Sequence, residues 1–187
     1  MKVRVENIEA ITEYANHGRV VVFDTETTGM YEGDEICQIA AAEYVNGKLR
    51  RTMNVYMCPT CEIRQEAADA HGLTVEFLKE HGREQSDAMR EFFDFVGKDA
   101  LLVAHNIRFD LRMVAQECEK FGIENPLGEV ETCDTWPLAK YFHPEFKCCA
   151  LWALLEQLQV EGDNSHNAID DVTACANVFF KLIKERL

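Results

Sequence analysis

A continuous apolar run that ends on two acids constrains this chain more than any other feature. Val20-Val21-Val22-Phe23 leads directly into Asp24-Thr25-Glu26. A run that is apolar at every position has no wet face, so it suits a strand covered on both sides, in the middle of a sheet. Alternate residues of a strand point the same way. The carboxylates of Asp24 and Glu26 can therefore converge where the strand gives way to the turn Thr27-Thr28-Gly29. Two carboxylates that close repel unless a proton or a cation lies between them. A solvated strand end could carry the same D-x-E pattern, so its position after a buried run is what gives it weight. Oxygen-only ligation points to Mg²⁺ or Mn²⁺ rather than zinc.

The rest of the chain builds around that strand. Residues 6–16 fit a short helix with Ile8, Ile11 and Ala15 on one side. Ile36 to Tyr44 and Leu49 to Tyr56 flank Asn46-Gly47, the signal for a two-residue hairpin. Thr74 caps a short helix through Leu78 that stops at Gly82, and Ser86 is expected to cap another, with Met89, Phe92, Phe93 and Val96 on its apolar face. Leu101 to His105 reads as a second buried strand, running into a helix from about Phe109 to Phe121 closed by Gly122. Val130 to Asp134 is a last strand, followed by helices over Leu151 to Leu158 and Ala168 to Leu187. Strands first, then alternating strands and helices, predict an α/β fold: a mixed sheet with helices packed on it. No repeat or low-complexity linker interrupts residues 1–187, which read as a single domain.

Two further clusters follow buried segments. His105-Asn106 with Phe109-Asp110 comes directly after the second buried strand, and Asp110 falls in the first turn of the next helix, where the helix dipole favours an acid. An ordinary N-terminal acid would sit there equally well. His105 and Asn106 fit a brace for the turn as well as a contact to substrate, and Phe109 fits either core or a base-stacking surface. His166, Asp170 and Asp171 enter the last helix. Helical phase separates the two aspartates: from Asp171 the steps reach Ala174, Cys175, Val178, Phe179 and Leu182, and from Asp170 they reach Thr173, Asn177, Lys181 and Lys184. Asp171 is thus the inward acid, in need of a partner that a metal would supply. His166, one turn before it, is a candidate general base.

Charge and cysteine usage narrow the classes. The formal charge is −14, from 33 acids against 19 Lys and Arg, which argues against a broad electrostatic footprint for duplex nucleic acid. If Asp24, Glu26, Asp110 and Asp171 hold two divalent ions, the balance becomes about −10. No membrane span or signal peptide is visible, so a cytoplasmic protein is expected. Cys58 and Cys61 have zinc-knuckle spacing but no second such pair, and the eight cysteines are expected to be reduced thiols.

In combination the motifs resemble the DEDDh branch of the DnaQ-like 3′–5′ exonucleases, the family of the proofreading epsilon subunit of bacterial DNA polymerase III. The first motif reads Asp24-Thr25-Glu26-Thr27-Thr28-Gly29, followed by Met30. The second reads His105-Asn106 with Phe109-Asp110, and the third His166, Ala168 and Asp171, its histidine five residues before the aspartate as in this branch. His71-Gly72-Leu73-Thr74 is similar to a connecting segment of the family. The resemblance implies a ribonuclease-H-like five-stranded sheet with helices on both sides, and two-metal hydrolysis of nucleic-acid 3′ ends with Mg²⁺ or Mn²⁺. It implies that Asp24, Glu26 and Asp171 hold one ion, that Asp24 and Asp110 hold the other, and that His166 takes the proton from the attacking water. Thr27, Thr28 and Met30 would line the pocket for the terminal nucleotide, with His105, Asn106 and Phe109 beside it. Arg108 and Arg112 are possible phosphate contacts.

The Asp-Thr-Glu-Thr-Thr-Gly-Met run favours single-stranded DNA as substrate, with RNA the alternative. A catalytically silent binding module of the same fold is a further alternative, against which all five functional positions stand. The last helix reaches the end of the chain, so a free-standing exonuclease, or a factor recruited in trans to a polymerase or repair complex, is expected.

Overall fold

The computed structural model describes residues 7–185. A helix, α1 (Ile8–His17), is followed by three strands, β1 (Arg19–Thr27), β2 (Ile36–Val45) and β3 (Lys48–Tyr56). Three helices come next, α2 (Gln65–His71), α3 (Val75–His81) and α4 (Gln85–Val96), then β4 (Leu101–Ala104) and α5 (Ile107–Phe121). The chain closes with β5 (Glu131–Asp134), α6 (Thr135–Phe142), α7 (Leu151–Leu158) and α8 (Ala168–Lys184). The sheet order is β3-β2-β1-β4-β5. β2 runs antiparallel to β1 and β3, whereas β1, β4 and β5 are parallel. This is the mixed five-stranded sheet expected, with the apolar run at its centre.

Burial of β1 on both faces explains why it carries no polar alternation. Val20 and Val22 belong to a core shared with α1, α6, α7 and α8, and Val21 and Phe23 to a second core with α4 and α5. Asp24 continues the first face and Thr25 the second. The helices whose first turns carry Asp171 and Asp110 therefore approach the end of β1 from opposite sides of the sheet. Asn46 and Gly47, both at positive φ, make the hairpin turn between β2 and β3.

Three local readings change. Glu84, not Ser86, caps α4: its carboxylate accepts the Asp87 N–H and the Ser86 hydroxyl, so the helix starts at Gln85. Gln85 is thereby buried, and its amide donates to Glu35 Oε2 at 3.0 Å. α5 begins at Ile107, two residues before the expected start. Helices α2 and α6 were not expected; α2 is seven residues long with no buried residue, so it has no apolar period to read. Residue 6 of the first expected helix and residues 186–187 of the last lie outside the described residues.

Candidate active site

The site is assembled at the end of β1. Asp24 and Glu26 leave the strand on one face, and Thr25, on the other, donates its hydroxyl to Asp110 Oδ1 at 2.7 Å. Asp110 is buried in the first turn of α5. That turn is fixed from β5: Asp134 accepts the backbone N–H of Asn106 at 3.0 Å and that of Trp136 at 3.0 Å, so one carboxylate holds the start of α5 and caps α6.

Asp171 is buried and Asp170 exposed, as helical phase requires. Its helix start is tied to the sheet by Gln38 of β2, whose amide donates to Asn167 Oδ1 at 3.2 Å while its carbonyl oxygen accepts the Ala168 N–H at 3.4 Å. Asn164 donates to both oxygens of Asp171, at 3.1 and 3.0 Å. This residue was missed from the sequence, since one loop asparagine carries no signal. His166 is exposed, with φ +54°, and ligand atoms of Glu26, His166 and Asp171 lie within 4.8 Å of one another. Of the four non-glycine residues at positive φ among the described residues (Asn46, Asn106, Gln159 and His166), two border this site. Backbone held in that region costs about 1–2 kcal/mol per residue, and such conformations gather at functional sites.

The acids crowd one another. Burial, then the charges of Asp110, Glu26 and Asp171, holds Asp24 well above the usual carboxylate range. Burial, then Asp171 and Asp110, pushes Glu26 up to about 8. Asp110 is raised to about 7, chiefly by burial and against the Thr25 hydrogen bond. Burial also raises Asp171, against the Asn164 amide. Among the described residues, no donor or cation pairs with the carboxylate of Asp24 or Glu26. Unpaired, mutually repelling oxygen donors fit a hard divalent cation, which would supply the missing charge.

Two cavities meet at this cluster. One, of ≈ 520 Å³, lies between the turn after β1 and helix α2, lined by Thr27, Gly29, Met30, Ala67, Ala70 and His71. The other, of ≈ 460 Å³, opens toward α7 and is lined by Asp24, His105, Asn106, Asp110, Trp152 and Asp171. Thr25, Glu26, Phe109 and His166 line both.

His71 of α2 is lowered, first by burial, and is held as the neutral imidazole: Nδ1 accepts the Leu73 N–H at 2.9 Å and Nε2 lies 3.2 Å from the Thr27 carbonyl. Gly29 leaves room for Arg64 to pair with Asp34 at 3.0 Å; a β-carbon there would strike both side chains.

Thr28 does not line either cavity. It is fully buried, its hydroxyl accepts the Glu35 N–H at 2.8 Å, and its own N–H is taken by the Glu35 carbonyl. It shapes the turn from behind and offers no group to a nucleotide, which corrects the expectation from the motif. Arg112 donates to the Met30 carbonyl at 3.0 Å, bracing the same turn, and Arg108 is exposed. His105 is neutral, lowered to about 4 by burial, with Nδ1 2.8 Å from the Thr135 hydroxyl, while its ring borders the second cavity. All eight cysteines are free, and Cys61 Sγ lies 3.2 Å from the Thr28 hydroxyl.

The RNase_T exonuclease family model matches residues 21–179. The PolC-type DNA polymerase III of Clostridium perfringens is 30% identical over 174 residues, covering 89% of this chain and 12% of that protein. The 3′-5′ exonuclease DinG of Bacillus subtilis is 32% identical over 172 residues, covering 91% of this chain and 18% of that protein. The chain thus spans less than a fifth of the length of either relative. Among solved structures, E. coli exonuclease I in complex with a dT13 oligonucleotide superposes with a TM-score of 0.78 at 18% identity, covering 90% of this chain and 41% of that one. The family match runs from the middle of β1 to the heart of α8, across every acid of the cluster, and the chain belongs to the DnaQ-like exonucleases of that family.

Proposed function

We propose that this protein is a metal-dependent 3′–5′ exonuclease that releases nucleoside monophosphates one at a time, with single-stranded DNA as the favoured substrate and the 187 residues acting as one exonuclease domain. The observation that carries this reading is that Asp24, Glu26, Asp110, Asp171 and His166 all line one cavity, with ligand atoms of Glu26, His166 and Asp171 within 4.8 Å of one another. Its relatives support it: DinG acts as a 3′-5′ exonuclease, and exonuclease I has been seen with a dT13 strand. The PolC-type relatives support recruitment to a polymerase. No helix among the described residues is long and apolar enough to cross a membrane, in keeping with a cytoplasmic enzyme.

The donor set fits Mg²⁺ or Mn²⁺: Asp24, Glu26 and Asp171 would hold one ion, and Asp24 with Asp110 would hold the other. Two such ions, when bound, supply the clamp on the attacking and leaving oxygens of an in-line displacement. The chain's own residues do the rest. His166, exposed beside Glu26 and Asp171, accepts the proton of the attacking water at an imidazole nitrogen. Thr25 holds Asp110 in register through its hydroxyl, and Asn164 orients both oxygens of Asp171. The first cavity receives the terminal nucleotide: Met30, 65% exposed, wedges against the base, and neutral His71 closes the wall without adding charge.

The test uses 5′-labelled DNA and RNA oligonucleotides of one sequence, with Mg²⁺ or Mn²⁺ and an Asp24→Ala control. A ladder shortening from the 3′ end, absent in the variant, is the expected result, and the faster substrate assigns the sugar. No ladder from folded, metal-loaded wild type would overturn the reading in favour of a silent binding module.

A further inference from the structure

The second cavity has a wall that none of the catalytic assignments uses. The chain has two tryptophans, and Trp152 stands in the first turn of α7 with 59% of its surface exposed, although it follows Leu151 and precedes Ala153-Leu154-Leu155, all buried. The other exposed positions of α7 are the polar Glu156 and Gln157, so Trp152 places a large apolar ring on the helix's wet side, where it gains little from the core. It lines the cavity that also holds Asp24, Asp110 and Asp171. Phe109, shared by both cavities, is the other aromatic ring there.

The topology gives that position a meaning. The attacked phosphate must lie at the acid cluster, on the side where Glu26 and His166 join the two cavities. If the terminal nucleotide fills the cavity beside α2, the adjoining nucleotide, whose 3′-oxygen leaves, falls in the cavity beside α7. Charge supports the same division of labour. With a formal charge of −14, the protein has little to offer a phosphate backbone beyond bound cations. Stacking on an aromatic ring is the remaining source of affinity, and it tolerates every base because each has a π-face.

We propose that Trp152 is a positioning residue that stacks on the base next to the scissile bond and so holds the strand in the second cavity. This rests on the exonuclease reading. Trp152 touches neither the attacking water nor the phosphate; it places the penultimate nucleotide, whose 3′-oxygen is the leaving group.

The test is a cycle between protein and substrate, run on the full chain with Mg²⁺ or Mn²⁺. Wild type, Trp152→Ala, Trp152→Phe and Trp136→Ala are each assayed on a short thymidine oligonucleotide and on the same strand with an abasic penultimate position. Trp136 is exposed but does not line the cavity, so its variant should match wild type. Trp152→Ala should raise KM on the intact strand roughly 5- to 150-fold, the range expected for one stacked base, with a smaller change in kcat, and Trp152→Phe should recover most of the loss. Removing the penultimate base should cost wild type a similar factor and cost Trp152→Ala almost nothing further. Inhibition by thymidine 5′-monophosphate, which has no penultimate nucleotide, should be equal in wild type and Trp152→Ala. An unchanged KM in Trp152→Ala, or an abasic penalty as large there as in wild type, would overturn the inference. Wild type inactive on both strands would instead overturn the exonuclease reading and take the inference with it.

Discussion

Buried and half-buried acids occur in two kinds of place in this protein, and their surroundings are opposite. Burial alone would raise Glu35, but Lys120, the Thr60 hydroxyl and the Thr60 N–H donate to it and bring it below its ordinary value. Glu43 is lowered by its hydrogen bond from Arg51 and, against burial, by Arg19. These acids tie loops and strands together, and each has its counter-charge built in. At the end of β1 the arrangement is reversed: among the described residues no counter-charge pairs with Asp24 or Glu26, their carboxylate neighbours repel them, and both are raised. A chain that folds with two such carboxylates beside Asp110 and Asp171 keeps a repulsion it could have relieved, which makes sense if a cation arrives later. Glu117 falls between the two kinds: raised to about 7, chiefly by burial, it accepts the Ile36 N–H through one oxygen, and the other has no protein partner among the described residues.

The largest effect should separate two neighbours. Asp171→Ala should reduce exonuclease activity at least about 100-fold, the scale of losing one charge-positioning group, whereas Asp170→Ala should match wild type in the same assay. Equal effects would remove the distinction between the buried acid and the solvated one. Stability should then part the two kinds of acid in opposite directions. Measured by chemical denaturation without metal, Glu43→Gln should lose about 2 kcal/mol, the value of charged hydrogen bonds with a discount for the half-exposed Arg51. Asp24→Asn should gain stability, because it removes a charge from a crowded site. If both variants were destabilised, the acid cluster would be a structural network like the other.

A further effect is one of pH. Folded values of about 8 for Glu26 and about 7 for Asp110 stand above the ordinary carboxylate range. The folded state therefore holds more protons than the unfolded state between those limits, and metal-free stability should fall as pH rises from about 4.5 toward 8. Cations compete with those protons, so the rise in Tm on adding Mg²⁺ should be larger at pH 8.5 than at pH 5.5. A rise in Tm independent of pH would place the ion elsewhere.

The sequence carried the parts of this comparison that repeat along the chain. The unbroken run Val20–Phe23, the Asn46-Gly47 turn and the phase of α8 are periodic or stereochemical signals, and the sheet's centre, its hairpin and the buried position of Asp171 follow from them. What it did not carry depends on contacts between distant segments. Helix α2 has no fully buried residue, so its place beside the first cavity has no hydrophobic signature. Thr28 belongs to the motif by spacing, yet its side chain turns inward to Glu35 and Cys61 because the loop is folded back on itself. Asn164 and Gln38 act through hydrogen bonds across 7 and 130 residues, which no local pattern reveals.

The most direct test of the central claim is to titrate the metal-free protein with Mn²⁺ and follow the free ion by electron paramagnetic resonance, in wild type and Asp24→Ala. The account predicts two ions per chain in wild type and loss of both from the variant, since Asp24 is the acid they share. No Mn²⁺ bound by wild type, or the same binding in Asp24→Ala, would contradict it.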